Sequence, residues 1–226
     1  MTNFKYFLGI ASLSMLLVAC GGAAEQKTEN NDAATTTTEN AAPANGAFAV
    51  DAENSIVEWK ATKAVGGHNG TVKFDASSVN VENGNLTGGK FTINMGSIKV
   101  LDLKDSAQSV DLAGHLQAPD FFDAPKFPTA TFELTKAEAV KDNPEVTHNL
   151  SGKFTIRGIS KDITAPAKVS FNGKEMAATS ILKFNRQDYG IVYHSAKDKS
   201  FDLKKMGDKL INDEVELKLN VKAKVN

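Results

Sequence analysis

The sequence alternates with a period of two, and that rhythm rules out most folds before any motif is considered. Val146, His148, Leu150, Gly152, Phe154 and Ile156 fall on one side of an extended chain, with Thr147, Asn149, Ser151, Lys153, Thr155 and Arg157 on the other. A strand with one buried and one wet face reads this way. After a turn expected at Gly158-Ile159-Ser160-Lys161 the rhythm resumes, with Ile163, Ala165, Ala167, Val169 and Phe171 facing one way, so the two runs read as a hairpin. The last segment repeats it: Val215, Leu217, Leu219, Val221, Ala223 and Val225 alternate with charged or polar residues.

Shorter runs fit the same scheme at Val57, Trp59 and Ala61, at Val72 and Phe74, at Phe91, Ile93 and Met95, at Phe132 and Leu134, and from Met176 to Phe184. With Gly/Asn turns such as Glu82-Asn83-Gly84-Asn85 between them, the count reaches about eight antiparallel strands. That number closes a barrel around side chains or around one elongated ligand. Pro166 falls on the polar side of its run, which predicts an edge or a bulge. One helix is expected from about Ser106 to Leu116, with Val110, Ala113 and Leu116 on its apolar face and Pro119 helping to stop it. The fold class is therefore all-β, an eight-stranded antiparallel barrel with one short packed helix.

Ahead of this domain stand two segments of different chemistry. Residues 1–19 read as a secretory signal: one basic residue, Lys5, then a mostly apolar run too short to span a bilayer. Leu17-Val18-Ala19-Cys20 resembles a bacterial lipobox, in which the thiol of the only cysteine receives a diacylglycerol and the new amino terminus is acylated. Several acyl chains, at about 0.8 kcal/mol per buried methylene, give stable anchoring. Gly21, where an inner-membrane signal would have aspartate, fits an outer-membrane address. The expected location is thus the bacterial cell envelope, on the periplasmic face. Residues 21–46 hold no aromatic, valine, isoleucine or leucine before the barrel domain of 47–226 begins, so residues 20–46 are expected to form a lipidated tether. As a random coil it would reach about 30 Å.

Other chemistries find little support. With Cys20 lipidated no thiol is left for a disulfide, a thiolate metal site or a nucleophile. A net charge of −1 with lysines and acids interspersed gives no basic stripe for nucleic acid. Gly84 to Lys90 has the glycine and lysine spacing of a phosphate loop, but Phe91 stands where Ser/Thr would hold magnesium and a strand follows, so it reads as a β-turn. Histidines 68, 115, 148 and 194 never occur at metal-site spacings, and no Gly-x-Ser-x-Gly elbow occurs, so neither a metal nor an enzyme is expected. Arg186 and Asp188, two apart, are expected to pair with each other or with neighbouring backbone.

Several motifs follow one another along the domain. They are Gly67-His68-Asn69-Gly70; His115-Leu116 followed by Asp120-Phe121-Phe122-Asp123 and Phe127-Pro128-Thr129-Ala130-Thr131-Phe132; Gly152 to Gly158; and Asn185-Arg186-Gln187-Asp188-Tyr189-Gly190-Ile191. In this order they resemble YceI-like proteins from about Phe48 to Asn226. The chain departs from them at Lys153-Phe154 and at Tyr189, keeping the apolar pattern at both. The resemblance implies a lipocalin-like extended barrel whose interior holds a polyisoprenoid, an isoprenoid quinone or a fatty-acyl lipid, with no other cofactor. It would place Trp59, Phe91, Ile93, Phe132, Leu150, Phe154, Leu182, Phe184, Leu217 and Leu219 around that guest, and His68, His115, Phe121 and Phe122 at the mouth.

Periodicity alone does not separate a hollow barrel from a dry core, because inward alternation is identical in both. Small inward residues at Gly152, Ala165, Ala167, Ala178 and Ala223 favour a cavity. Phe121 and Phe122 read either as mouth contacts or as a plug tying helix to barrel. Two other functions stay open: an envelope enzyme using His68, His115 or His194 as acid or base, and a stress-related module binding a protein or glycan through the Phe121-Phe122 loop. The oligomeric state is open, a homodimer included.

Overall fold

A computed structural model describes residues 41–200 and 207–225; the signal, Cys20 and most of the tether lie outside the described residues. Ten strands and one helix follow in order: β1 (Gly46–Val50), β2 (Ile56–Lys63), β3 (Gly67–Phe74), β4 (Ser78–Glu82), β5 (Asn85–Val100), α1 (Ser106–Gln117), β6 (Thr129–Ala139), β7 (His148–Ile156), β8 (Ile159–Asn172), β9 (Glu175–Asn185) and β10 (Ile211–Val225). Every pairing is antiparallel, and β2-β3-β5-β6-β7-β8-β9-β10 close on themselves, giving the eight-stranded barrel that the alternation predicts. The two short strands add no ninth stave. Beyond the ends of β2 and β3, β1 pairs with β10 and β4 with β5, so β1 and β4 fill the same gap at the far end.

Turn chemistry sets the ends of the staves. The β7–β8 turn is the two residues Arg157-Gly158, both at positive φ (51° and 73°), and Ile156 already pairs with Ile159. The expected four-residue turn is thus corrected to a shorter one, because a right-twisted hairpin is best joined by two left-handed residues. Pro166 marks a local edge. β8 pairs with β7 from Ile159 to Ala167 but with β9 only from Ala167 onward, and Ser180 Oγ donates to the Pro166 carbonyl at 2.8 Å. A residue with no N–H costs nothing where the second pairing stops.

β5 carries a bulge that sequence periodicity misses. Its pairing with β3 shifts between Thr71↔Lys99 and Lys73↔Asn94; the Lys73 amide donates to Ser97 Oγ and the Gly96 amide to Asn94 Oδ1. The three extra residues on β5 bring Met95 and Ile98, three apart, to the same interior.

Helix α1 occupies Ser106–Gln117, as expected, and starts on the Asp105 carboxylate, which accepts from the amides of Ala107 and Gln108. Its inner face differs from the expected one. Val110 is 70% exposed, while Ser109, Leu112, Ala113 and Leu116 are part-buried. Ser109 Oγ donates to the Val100 carbonyl at 2.8 Å, pinning the helix to the end of β5.

The far end is shut. Phe48, fully buried, packs edge-on against Phe171 at 5.7 Å between ring centres, beside buried Val79 and Val81. Residues 41–45 join the barrel here: the Ala44 amide donates to the Gly173 carbonyl, the Gly173 amide to the Ala41 carbonyl, and Asn45 Oδ1 accepts from the Asn83 amide.

Candidate functional site: a two-chambered barrel interior and its mouth

The inward side chains leave two apolar cavities, so the interior is neither a solid core nor an open pipe. The upper one, with about 600 Å³ of empty space including its open face, is walled by residues such as Trp59, Ala61, Val72, Met95, Ile98, Phe122, Phe184 and Val215. The lower one, with about 650 Å³ of empty space including adjoining open space, is walled by Phe74, Phe91, Phe132, Leu150, Ala165, Ala167, Ala178, Leu182, Leu219 and Val221, with Thr179 and Ser180 at one side. Ile93, Phe154 and Leu217 line both, forming a waist.

Aromatic packing fixes the waist. Phe154 meets Phe184 edge-on at 5.5 Å and Tyr189 at 5.8 Å, and Phe184 meets Tyr189 at 5.6 Å. Tyr189 is only 1% exposed, and burial, with Asp188 nearby, pushes its phenol pKa up to about 12.

All ten expected interior residues line one cavity or the other. The small residues divide. Ala165, Ala167 and Ala178 leave room in the lower cavity, whereas Gly152 does not: a Cβ there would lie 2.2 Å from the Glu133 carbonyl and 2.7 Å from the Phe132 ring. Its smallness serves close strand approach. Ala223 lines neither cavity.

Above the upper cavity lies the mouth, about 770 Å³ of space including its opening, which shares Trp59, Ala61 and Leu116 with the cavity below. His68, His115, Phe121, Tyr193 and His194 line it with Lys63 and Lys209. Three of the four histidines therefore converge there. Among the described residues no group of three or more His, Cys, Asp or Glu is arranged to hold a metal ion. Two carboxylates brace the ring from outside: His68 Nδ1 lies 2.9 Å from Asp102 Oδ2, and His115 Nε2 2.9 Å from Asp120 Oδ2. Each histidine keeps its other nitrogen for a different contact. Burial raises the Asp102 pKa, but the Asn69 amide, 2.9 Å from Oδ1, and His68 outweigh it and hold the carboxyl below its usual range.

Phe121 and Phe122 serve as both plug and wall. Phe121 is buried, lies edge-on to His115 at 5.3 Å and lines the mouth; Phe122 lines the upper cavity. Tyr193 touches His115 edge-on at 4.8 Å and stacks on His194 at 4.0 Å.

Sequence reasoning missed what holds Tyr193 in place. Arg186, 2% exposed, donates to the carbonyls of Ile191, Tyr193, Ile211 and Asn212 and pairs with Asp213 at 3.2 Å, not with Asp188. Of the two expected partners the backbone is the right one, because a planar five-donor group satisfies several carbonyls at once. The Asn185 to Gly190 motif was the available signal: Asn185 caps a one-turn 3-10 helix over Arg186–Tyr189, and Gly190, at φ 73°, ends it in a left-handed turn. His148 belongs to no site. It is half-buried beside Thr147 Oγ1, and desolvation lowers its pKa.

Comparison with known proteins agrees with this architecture. A domain model described as YceI-like matches residues 48–223. A UPF0312 protein of Pseudomonas putida (strain W619) is 33% identical over 97 residues, 39% of this chain and 48% of its own. A UPF0312 protein of Pseudomonas aeruginosa (strain UCBPP-PA14) is 34% identical over 86 residues, 38% of this chain and 39% of its own. These matches span about half or less of the relatives' length. Among solved structures, Burkholderia cenocepacia BcnA superposes with a TM-score of 0.60 at 24% identity, covering 77% of this chain and 99% of that one. A polyisoprenoid-binding domain from Saccharophagus degradans superposes at 0.54 and 13% identity, covering 79% and 98%. At such identities the superpositions speak for the fold alone. With a closed eight-stranded barrel, a helix at its mouth and a domain match across most of its length, this chain belongs to the YceI-like domain family.

Proposed function

We propose that the barrel takes up a long apolar lipid, a polyisoprenoid, an isoprenoid quinone or a fatty-acyl chain, and stores or carries it in the cell envelope without catalysis. The observation that carries this reading is the pair of apolar cavities meeting at Phe154 and opening toward a mouth lined by histidine and lysine. The binding stated for the Saccharophagus degradans domain supports it. Removing about 500 Å² of lipid surface from water would favour the complex by roughly 12 kcal/mol before ordering costs. A wall with few polar groups selects by length and girth, and the mouth supplies hydrogen bonds to whatever head the chain carries. His68 and His115 are assigned that contact, with Phe121 as apolar wall beside them and Phe122 below in the upper cavity.

The chain has a single tryptophan, and it lies between mouth and upper cavity. Titrating delipidated protein with a long-chain isoprenoid should change Trp59 fluorescence in a saturable way. No change at any lipid concentration would count against the site.

The envelope location rests on Cys20 and the apolar run before it. Replacing Cys20 with serine should move the protein into the soluble fraction after detergent-free lysis; unchanged membrane association would refute lipidation at that residue.

A further inference from the structure

The large apolar side chains that this protein leaves exposed are concentrated at one end. Among the described residues these are Val65, Leu101, Val110, Ile159, Val192 and Ile181, and all but Ile181 lie at the mouth end. Val65 sits in the β2–β3 turn between the mouth residues Lys63 and Gly67. Leu101 bonds through its amide to the Asn69 carbonyl and precedes Asp102, which braces His68. Val110 projects from α1, the helix that contributes Leu112 and His115 to the mouth wall. Ile159 lies against the position of Gly190, and Val192 precedes Tyr193.

Scattered exposed apolar residues need no explanation, but a rim of them around the opening of an apolar cavity does. Among the described residues the charged side chains lining this opening, histidines aside, are Lys63 and Lys209. Of the aspartates nearby, Asp102 and Asp120 pair with histidines and Asp105 caps α1, while Asp111, next to Val110, is exposed. Residues 41–45 join the barrel at the opposite end, leaving the mouth clear of them.

We propose that the mouth end docks on a phospholipid bilayer, with Val65, Leu101, Val110, Ile159 and Val192 entering the interface while Lys63 and Lys209 meet lipid phosphates. An apolar rim with basic residues behind it is the composition that favours such an interface. The guest then passes between bilayer and barrel without crossing water. This rests on the carrier reading, since a bilayer is where a long apolar lipid resides.

The test is flotation with vesicles of phosphatidylethanolamine and phosphatidylglycerol in a 3:1 ratio, about the anionic content that two lysines would sense. The full chain carries Cys20→Ser, so that no acyl anchor contributes. Combined Val65→Asp, Leu101→Asp and Val110→Asp should weaken vesicle binding about tenfold or more. Ile181→Asp, on the outer wall, should leave it unchanged. All four sites are more than half exposed, so the fold should tolerate the changes, and thermal melts verify this. If the triple variant fails to melt cooperatively, Lys63→Glu with Lys209→Glu takes its place and should reduce binding to these vesicles. Equal binding by rim variants and the unaltered rim would overturn the proposal, and so would capture of an envelope protein by the rim with no vesicle affinity. Mass spectrometry of bound lipid in the same preparations separates the two readings: an empty barrel that still floats through its rim contradicts the carrier reading alone.

Discussion

Phe154 meets Phe184 edge-on at 5.5 Å where the upper and lower cavities join, so this aromatic pair governs how far a chain can descend into the barrel. Both cavities share the Phe154 ring as a wall, and threading a guest from one to the other requires that ring to yield. Phe154 is buried and held by Phe184 and Tyr189, which makes occupancy of the lower cavity the property that distinguishes long guests from short ones.

Filling the lower cavity should therefore shorten the preferred guest. Ala178 lines that cavity and not the upper one, and Ala178→Phe places a ring where the space is. Lipids extracted from the variant are expected to be shorter, with stability within about 1–2 kcal/mol of the unaltered protein because the site is not close-packed. An unchanged lipid profile would show that the guest does not enter the lower cavity.

Arg186 holds the wall of the mouth by four backbone carbonyls and Asp213. Arg186→Leu leaves these acceptors unpaired in a buried place. The expected loss is about 3 kcal/mol or more in chemical denaturation, together with weaker binding of the lipid head. A loss below about 1 kcal/mol would mean water satisfies the carbonyls instead.

Tyr189 gives a pH dependence with a definite sign. Its phenol pKa lies at about 12 in the folded protein against an ordinary 10.0, so folding favours the protonated form. The stability this contributes is complete below about pH 10 and is lost as pH rises from there toward 12. In an ultraviolet titration Tyr189 should ionise late, toward pH 12. Tyr189→Phe should abolish the late step and flatten the alkaline loss of stability.

Asp102 works in the opposite direction. Held below the usual carboxyl range, it contributes stability above that range which fades as pH falls through it. Asp102→Ala frees the His68 ring and leaves the Asn69 amide without its partner. About 1 kcal/mol of stability should go, with reduced affinity for the lipid head. Equal affinity in the variant would remove His68 from the contact set.

The sequence made the staves legible because inward alternation is a backbone property: side chains on a strand change face at every residue, whatever packs against them. The same rhythm placed Trp59, Phe154 and Leu217 on the interior face. It failed where the backbone leaves the period. At Gly96-Ser97 the bulge resets the phase of β5, so Ile98 enters the upper cavity unannounced. On α1 helical spacing chose Val110, yet the Ser109 bond to Val100 turns that residue to solvent. Cavities were the least legible part, since Gly152 and Ala178 look alike in sequence but one sits under the Phe132 ring and the other beside empty space. The mouth needed three distant segments, at His68, at His115 and from Arg186 to Ile211, to meet in space. No local spacing announces that meeting.

The most direct measurement is native mass spectrometry of protein purified from its native host, followed by solvent extraction and identification of what is released. The account predicts one long-chain isoprenoid or acyl lipid per barrel, displaced when Ala178→Phe fills the lower cavity. Protein that is repeatedly empty, and whose Trp59 fluorescence ignores added long-chain lipid, would contradict it.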